Sequence, residues 1–439
     1  MYVEVALLPT CTAQPEALHA PVLALVHAAA AASPLSEGQS LAVEGELRGH
    51  VRHIRLFEVE TATSAPPTLH VHQLFDEEAA EEDTGDGESV AFQLWTLPSL
   101  DFDGLWESLV YEDEVQPRLL RYVSTALRFS AAGVDARVIA WNRVVLLHGP
   151  PGTGKTSLCR GLAHKLAVRL SGTYAHGHLV EVNAHSLFSK WFSESGKMVM
   201  AMFARIRELL DDGDAFVCVL VDEVESLAAA RSSAAAGTEP SDSIRVVNAL
   251  LTQLDGLKRY DNCLVLTTSN LTGAIDAAFI DRADIKQYIG PPGPAARYEI
   301  LRSCVDELGR VGLVAPAAGT GLSDPSAPRS QLLPTKTLVA MLPTPPPQFE
   351  QLVSLGADGA SGGTRHSMML YAVAEACDGI SGRALRKLPF LAHALFGAAD
   401  GAAAQGSDGV GAPLALEAYL NALRQAVDHE HAARGAMAS

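Results

Sequence analysis

Residues Gly149-Pro150-Pro151-Gly152-Thr153-Gly154-Lys155-Thr156 form a Gly-x4-Gly-Lys-Thr loop. Its surroundings constrain the fold more than its letters do. The apolar run Val144–Leu147 leads in, and a helical stretch from Ser157 to Leu170 leads out. A strand feeding a glycine-rich turn and then a helix aims backbone N–H groups and the positive helix end at an anionic phosphate. In that geometry Lys155 reaches the β- and γ-phosphates of ATP and Thr156 offers its hydroxyl to Mg2+. Pro150, Pro151, Thr153 and Ser157 complete the cradle.

The rest of the chain supports a P-loop fold. Apolar strand-like runs at Leu179–Val182, Phe216–Val221 and Cys263–Thr268 alternate with amphipathic stretches. In one stretch Met198, Met202, Ile206 and Leu209 share a face; in another Ile244, Val247, Leu251 and Leu254 do, with Gly256 placed to end the helix. The alternation predicts an α/β domain, a parallel sheet covered by helices, over residues 100–292. Residues 1–97 read as a strand-rich N-terminal domain, interrupted by an acidic run at Asp76–Glu88 read as a solvated loop. Residues 294–439 read as a small helical lid that ends on the stripe Leu416, Leu420, Leu423 and Val427. A Pro/Ala/Gly-rich insertion falls at about 310–363, and a similar segment at Ala398–Pro413.

Composition narrows the function classes. Lys plus Arg is 33 against Asp plus Glu 51, a formal charge of −18. Such a balance disfavours binding nucleic acid through bulk charge, so no direct nucleic-acid partner is expected. No apolar run of about 18 residues exists, so no membrane span is expected. The start of the chain lacks a basic segment followed by an apolar signal core. The six cysteines are scattered, without a Cys-x-x-Cys pair, and read as reduced thiols of a cytosolic or nuclear protein.

Chemistry concentrates at strand ends, where ligands sit in such sheets. The run Phe216–Val221 ends in Asp222-Glu223. Asp222 would orient the Mg2+ shell and Glu223 would polarise the attacking water; Glu225 reads as structural. Leu264–Ser269 ends in Asn270, placed for the γ-phosphate or the lytic water, or else simply for a turn. Arg282 in Ile280–Asp284 and Arg383 in Ile380–Arg383 are each either a guanidinium for the γ-phosphate or a surface ion pair.

Together these residues resemble the AAA+ ATPases. Leu105–Tyr111, Ser189–Lys197, Gly237–Asp242, Asp281–Ile289 and Arg386–Ala394 narrow the likeness to the pachytene checkpoint protein 2 (thyroid receptor-interacting protein 13) family. The resemblance implies a homo-hexameric ring whose subunits close each other's ATP sites. It implies HORMA-domain proteins as substrates, converted from closed to open form and captured by the N-terminal domain, often through a HORMA-like adaptor. It places such a protein in meiotic chromosome-axis and spindle-checkpoint control, in the nucleus at chromosomes and kinetochores, and in the cytoplasm. Lys190-Trp191-Phe192 sits on a loop, so in a ring its aromatic pair would project into the pore and grip extended polypeptide; the alternative is an aromatic tucked against its own subunit. Related ring ATPases carry two arginines after the sensor strand, and on that register Asp281 and Asp284 stand here, leaving Arg282 as the trans-acting finger. A nucleic-acid motor or loader and a nucleotide-gated scaffold are the alternatives. The charge opposes the first, and the intact Glu223 opposes the second.

Overall fold

The computed structural model describes residues 1–36, 38–59, 66–83, 90–135, 137–184, 195–226, 242–270, 275, 277–315, 362–397 and 413–438. They fall into two compact units. One comprises Met1–Leu109, Glu114–Pro150 and Lys155–Ile289; the other comprises Val110–Asp113, Pro151–Gly154 and Gly290–Ser439.

The first unit opens with β1 (Tyr2–Leu7), α1 (Pro15–Ala32), β2 (Ser40–Leu41), β3 (Val51–Phe57) and β4 (Thr68–Gln73). The strands form a sheet of order β2-β3-β1-β4, antiparallel between β1 and β3 and parallel between β1 and β4. α1 buries Leu18, Val22 and Val26, one face at i, i+4 and i+8, in a cluster with Val3, Val5, Ile54 and Leu56. This helix stands inside the stretch read as strand-rich. The signal available was that same spacing of Leu18, Val22 and Val26, running into a polyalanine end of high helix propensity.

The same unit continues with β5 (Ala80–Asp83), β6 (Val90–Leu97), α2 (Leu105–Ser108), α3 (Val115–Ala131), β7 (Val144–His148), α4 (Lys155–Arg169) and β8 (His176–Asn183). It closes with α5 (Ser195–Asp211), β9 (Ala215–Asp222), α6 (Asp242–Leu257), β10 (Cys263–Ser269), α7 (Ala277–Arg282) and β11 (Ile285–Tyr288). A seven-stranded sheet runs β11-β7-β10-β9-β8-β6-β5. Its first five strands are parallel, and β6 and β5 extend it antiparallel. All seven residues of β10 are buried, as are all but the last of β9. Strands covered on both faces read as near-continuous apolar runs, here Phe216–Val221 and Cys263–Leu266. β5 lies within the acidic run expected to be a loop. Its backbone pairs with β6 whatever its side chains carry, and an edge strand tolerates solvated charge.

The second unit holds α8 (Pro294–Arg310), β12 (Val314–Ala315), α9 (Gly362–Ala376), α10 (Gly382–Leu385), α11 (Leu388–Phe396), β13 (Leu414–Ala415) and α12 (Leu416–Ala438). Leu416, Leu420, Leu423 and Val427 lie in its core with Leu301, Val305, Leu370 and Leu388. No described helix is long and apolar enough to cross a membrane. All six cysteines are free thiols.

Two buried histidines, His72 and His164, and the half-buried His53 are pushed toward the neutral form in the first unit. Burial holds His164 down to about 4, His72 to about 3 and His53 to about 4, each reinforced by nearby cations or histidines. Each folded value lies below the unfolded 6.5, so the stabilisation is full above pH 6.5. It is lost as pH falls from there toward the folded values. At pH 5 the loss from His164 alone is about 2 kcal/mol. Chemical denaturation at pH 7 and pH 5 should show this fall, with His164→Gln reducing the pH slope by close to one proton. An unchanged slope in that variant would refute the assignment.

Candidate active site

The phosphate loop joins β7 to α4. Gly149 sits at φ 147°, and a Cβ there would lie 2.1 Å from the Ile289 carbonyl oxygen. Its N–H donates to the Ser269 carbonyl at 3.2 Å, which ties the loop entrance to the end of β10. Gly152 sits at φ 76°, and its carbonyl accepts from the Arg383 N–H at 3.0 Å. Lys155 is 5% exposed, and its Nζ donates to the carbonyls of Gly149 at 2.9 Å and Pro150 at 2.7 Å. The ammonium is therefore held inside the loop, where a polyphosphate would meet it.

The carboxyl ends of β9 and β10 meet the start of α4. Thr156 Oγ1 donates to Asp222, 3.0 Å from Oδ1 and 3.2 Å from Oδ2. The buried Thr268 Oγ1 also donates to Asp222 Oδ1. A hydroxyl beside one carboxylate is a hard-oxygen donor set of the kind that suits Mg2+, whose remaining ligands are commonly phosphate and water. Among the described residues no group of three or more His, Cys, Asp or Glu is placed to hold a metal ion.

Glu223 follows at φ 60°, a left-handed conformation uncommon for a residue with a side chain. Its neighbours hold it there. The Glu223 N–H donates to Thr268 Oγ1 at 3.2 Å, and the Val224 N–H donates to the Thr268 carbonyl at 2.9 Å. The Glu223 carbonyl accepts from Ser226 Oγ at 2.8 Å. Such outliers concentrate at functional sites, where the surroundings fix an otherwise unfavourable geometry. The Asn270 Nδ2 donates to Glu223 Oε1 at 3.5 Å, and the Asn270 N–H donates to Glu225 Oε1 at 3.1 Å. Glu225 thus positions Asn270, which gives its structural reading a concrete form.

Sequence reasoning passed over Thr268. Its hydroxyl joins the Asp222 carboxylate to the Glu223 backbone N–H, and the signal available was a polar pair, Thr267-Thr268, near the end of an otherwise apolar run. Only Thr268 turns to the acids; Thr267 Oγ1 donates instead to the Val145 carbonyl.

The arginines separate. Arg282 ends α7 and forms a fork with Asp255 of α6, Nε to Oδ1 at 3.1 Å and Nη2 to Oδ2 at 2.6 Å. Its Nη1 also donates to the Ala278 carbonyl. Asp284, on the register where ring relatives carry arginine, accepts from Tyr122 OH, the Asn142 and Arg143 N–H groups and Asn142 Nδ2. It is a fastening for the chain ahead of β7. Arg383 lies in α10, which Ser381 caps by accepting from the Ala384 N–H. Lys190, Trp191 and Phe192, the expected pore loop, lie outside the described residues, as does most of the expected insertion.

Comparison with known proteins matches this geometry. Residues 145–291 match the model of the ATPase family associated with various cellular activities. Residues 293–431 match that of the TRIP13-like AAA+ ATPase lid C-terminal domain. A pachytene checkpoint protein 2 homolog of Homo sapiens is 48% identical over 376 residues, covering 84% of this chain and 77% of the relative. The chain belongs to the pachytene checkpoint protein 2 family of AAA+ ATPases. The structure of C. elegans PCH-2 is similar, with TM-score 0.72 and 31% identity over 98% of this chain and 99% of that one. A chain of the E. coli MS115-1 HORMA:CdnC:Trip13 complex shares the fold, at TM-score 0.50 and 15% identity over 79% of this chain and 97% of that one. As a member of this family the chain is a nucleotide-binding ATPase.

Proposed function

We propose that the chain is an ATP-driven, hexameric remodelling ATPase that converts HORMA-domain proteins from closed to open form. The observation that carries the catalytic part is the meeting of Thr156, Asp222, Thr268, Glu223 and Asn270 at adjoining strand and helix ends. Thr156 and Asp222 would hold Mg2+, which when bound would supply positive charge beside the phosphates. Lys155 and the loop N–H groups bind the phosphates. Glu223 polarises a water for in-line attack on the γ-phosphorus, Asn270 orients that water or the γ-phosphate, and ADP leaves. Arg383 approaches the nucleotide from the lid. Arg282 reaches a neighbouring subunit's site, which requires its fork with Asp255 to turn outward or open.

The substrate part is supported by the family and by the naming of HORMA in the complex that contains the E. coli Trip13 relative. In this reading the N-terminal sheet receives the substrate, with a HORMA-like adaptor, and Trp191 and Phe192 grip the threaded chain in the ring's pore. Meiotic chromosome-axis and spindle-checkpoint control follow, with a nuclear and cytoplasmic location.

The test is conversion of a purified closed HORMA protein, with adaptor present, by the wild type and by Trp191→Ala. ATP turnover should persist in both proteins, and conversion should fall at least tenfold in the variant. ATP turnover without conversion by the wild type would remove the HORMA reading and leave the ATPase.

A further inference from the structure

α4 has two working ends. Its first residues, Lys155 and Thr156, belong to the nucleotide site, and its last turns carry Lys165 and Arg169. Ten residues separate the two lysines, about 15 Å along a helix axis. Lys165 is 2% exposed. Its Nζ donates to Glu4 Oε2 on β1 at 2.7 Å and to Glu107 Oε1 on α2 at 2.7 Å. The same ammonium lies 3.3 Å from the centre of the Phe57 ring on β3. One turn on, Arg169 pairs with Glu58 at 2.7 Å and approaches Glu4 at 3.8 Å, with its guanidinium 4.6 Å from the Tyr2 ring. α2 is pressed against the helix where Gly161 leaves room: a Cβ there would lie 3.3 Å from the Trp106 Cα.

An apolar contact would hold two elements together at less desolvation cost than a buried cation with two carboxylates. What the ionic cluster adds is direction, because a two-sided charged contact has one satisfied geometry. The carboxylates are unequal. Burial pushes Glu4 up despite Lys165, whereas Glu107, also penalised by burial, is drawn below its usual range by Lys165 and Arg55.

We propose that Lys165 is a positioning residue that locks the N-terminal sheet to the phosphate helix, so that nucleotide occupancy at Lys155 is transmitted along α4 to β1 and β3. The helix suits the task, since residues 161–168 are all buried and it cannot tilt without moving what it touches. Whatever the N-terminal sheet holds therefore feels the state of the nucleotide through this contact.

The test pairs wild type with Glu4→Gln/Lys165→Met. Removing both partners leaves Glu107 with Arg55, 3.8 Å away, and Arg169 with Glu58, so no buried charge is stranded. Lys165→Met alone would strand Glu4 and serves as the destabilised control. Amide exchange is followed with and without a non-hydrolysable ATP analogue. In the wild type the analogue should slow exchange in the first turn of α4 and change it at least threefold in β1. In the double variant the first effect should persist, with analogue affinity and melting temperature near wild type, while the β1 response disappears. A β1 response of equal size in the variant, or none in the wild type, overturns the proposal. Protection at Lys155 and Thr156 reports separately on the nucleotide-site reading on which it rests.

Discussion

Glu223→Gln should bind ATP with affinity within a few-fold of wild type and hydrolyse it roughly 100- to 10,000-fold more slowly, the range expected when a general base is removed. The exchange keeps size and backbone demand, so the left-handed residue at φ 60° and its bonds to Thr268 and Ser226 remain. Only the charge that polarises water is lost. Lys155→Ala should do the opposite, weakening ATP binding itself, because its ammonium is the cation within the loop. Thr268→Val should fall between them. It removes the hydroxyl that bonds Asp222 and receives the Glu223 N–H, so both acids lose their fastening while neither is lost. Titration calorimetry for affinity and phosphate release for turnover separate the cases. Equal loss of binding and turnover in all three would mean the site had collapsed, and the division of roles would be wrong.

What could be read in the sequence was whatever a strand or helix announces by itself. β7, β9 and β10 are enclosed on both faces, so each runs apolar for most of its length, and the polar residues at or just past its end stand out as chemistry. α12 shows its buried face as a stripe of period close to four. Elements whose stability comes from partners did not show. β11 is short, and of its four residues only Gln287 is buried, so it carries no apolar run; it exists because β7 offers it a ladder. β5 is acidic and is held by β6. The site divides in the same way. Asp222, Glu223 and Asn270 follow from strand ends, but the Thr268 bridge needs two strands in register. The fork of Arg282 on Asp255 needs α6 and α7 packed. Lys165 and Glu4 lie 161 positions apart, and no local pattern joins them.

Gly149→Ala should cost more than any other single methyl group in the loop. At φ 147° an L-residue is strained by roughly 1–3 kcal/mol wherever it is placed. Here the added carbon also meets backbone, 2.1 Å from the Ile289 oxygen and 3.0 Å from its carbonyl carbon. Neither wall is free to give. The Ile289 N–H is bonded to the His148 carbonyl at 2.8 Å, and the Gly149 N–H to the Ser269 carbonyl at 3.2 Å. Relief must come from the loop, which carries Lys155 out of place and lowers ATP affinity together with melting temperature. Gly152→Ala is the control. Its Cβ would lie 2.9 Å from Ser381 Oγ, a side chain that can rotate away at the expense of one helix cap. It should therefore lose less of both quantities. Measuring the two variants side by side by thermal melting and nucleotide titration ranks them. If Gly149→Ala melted and bound like wild type, the backbone collision would not be what makes this position glycine, and the close approach of the loop to the end of β11 would carry no functional weight.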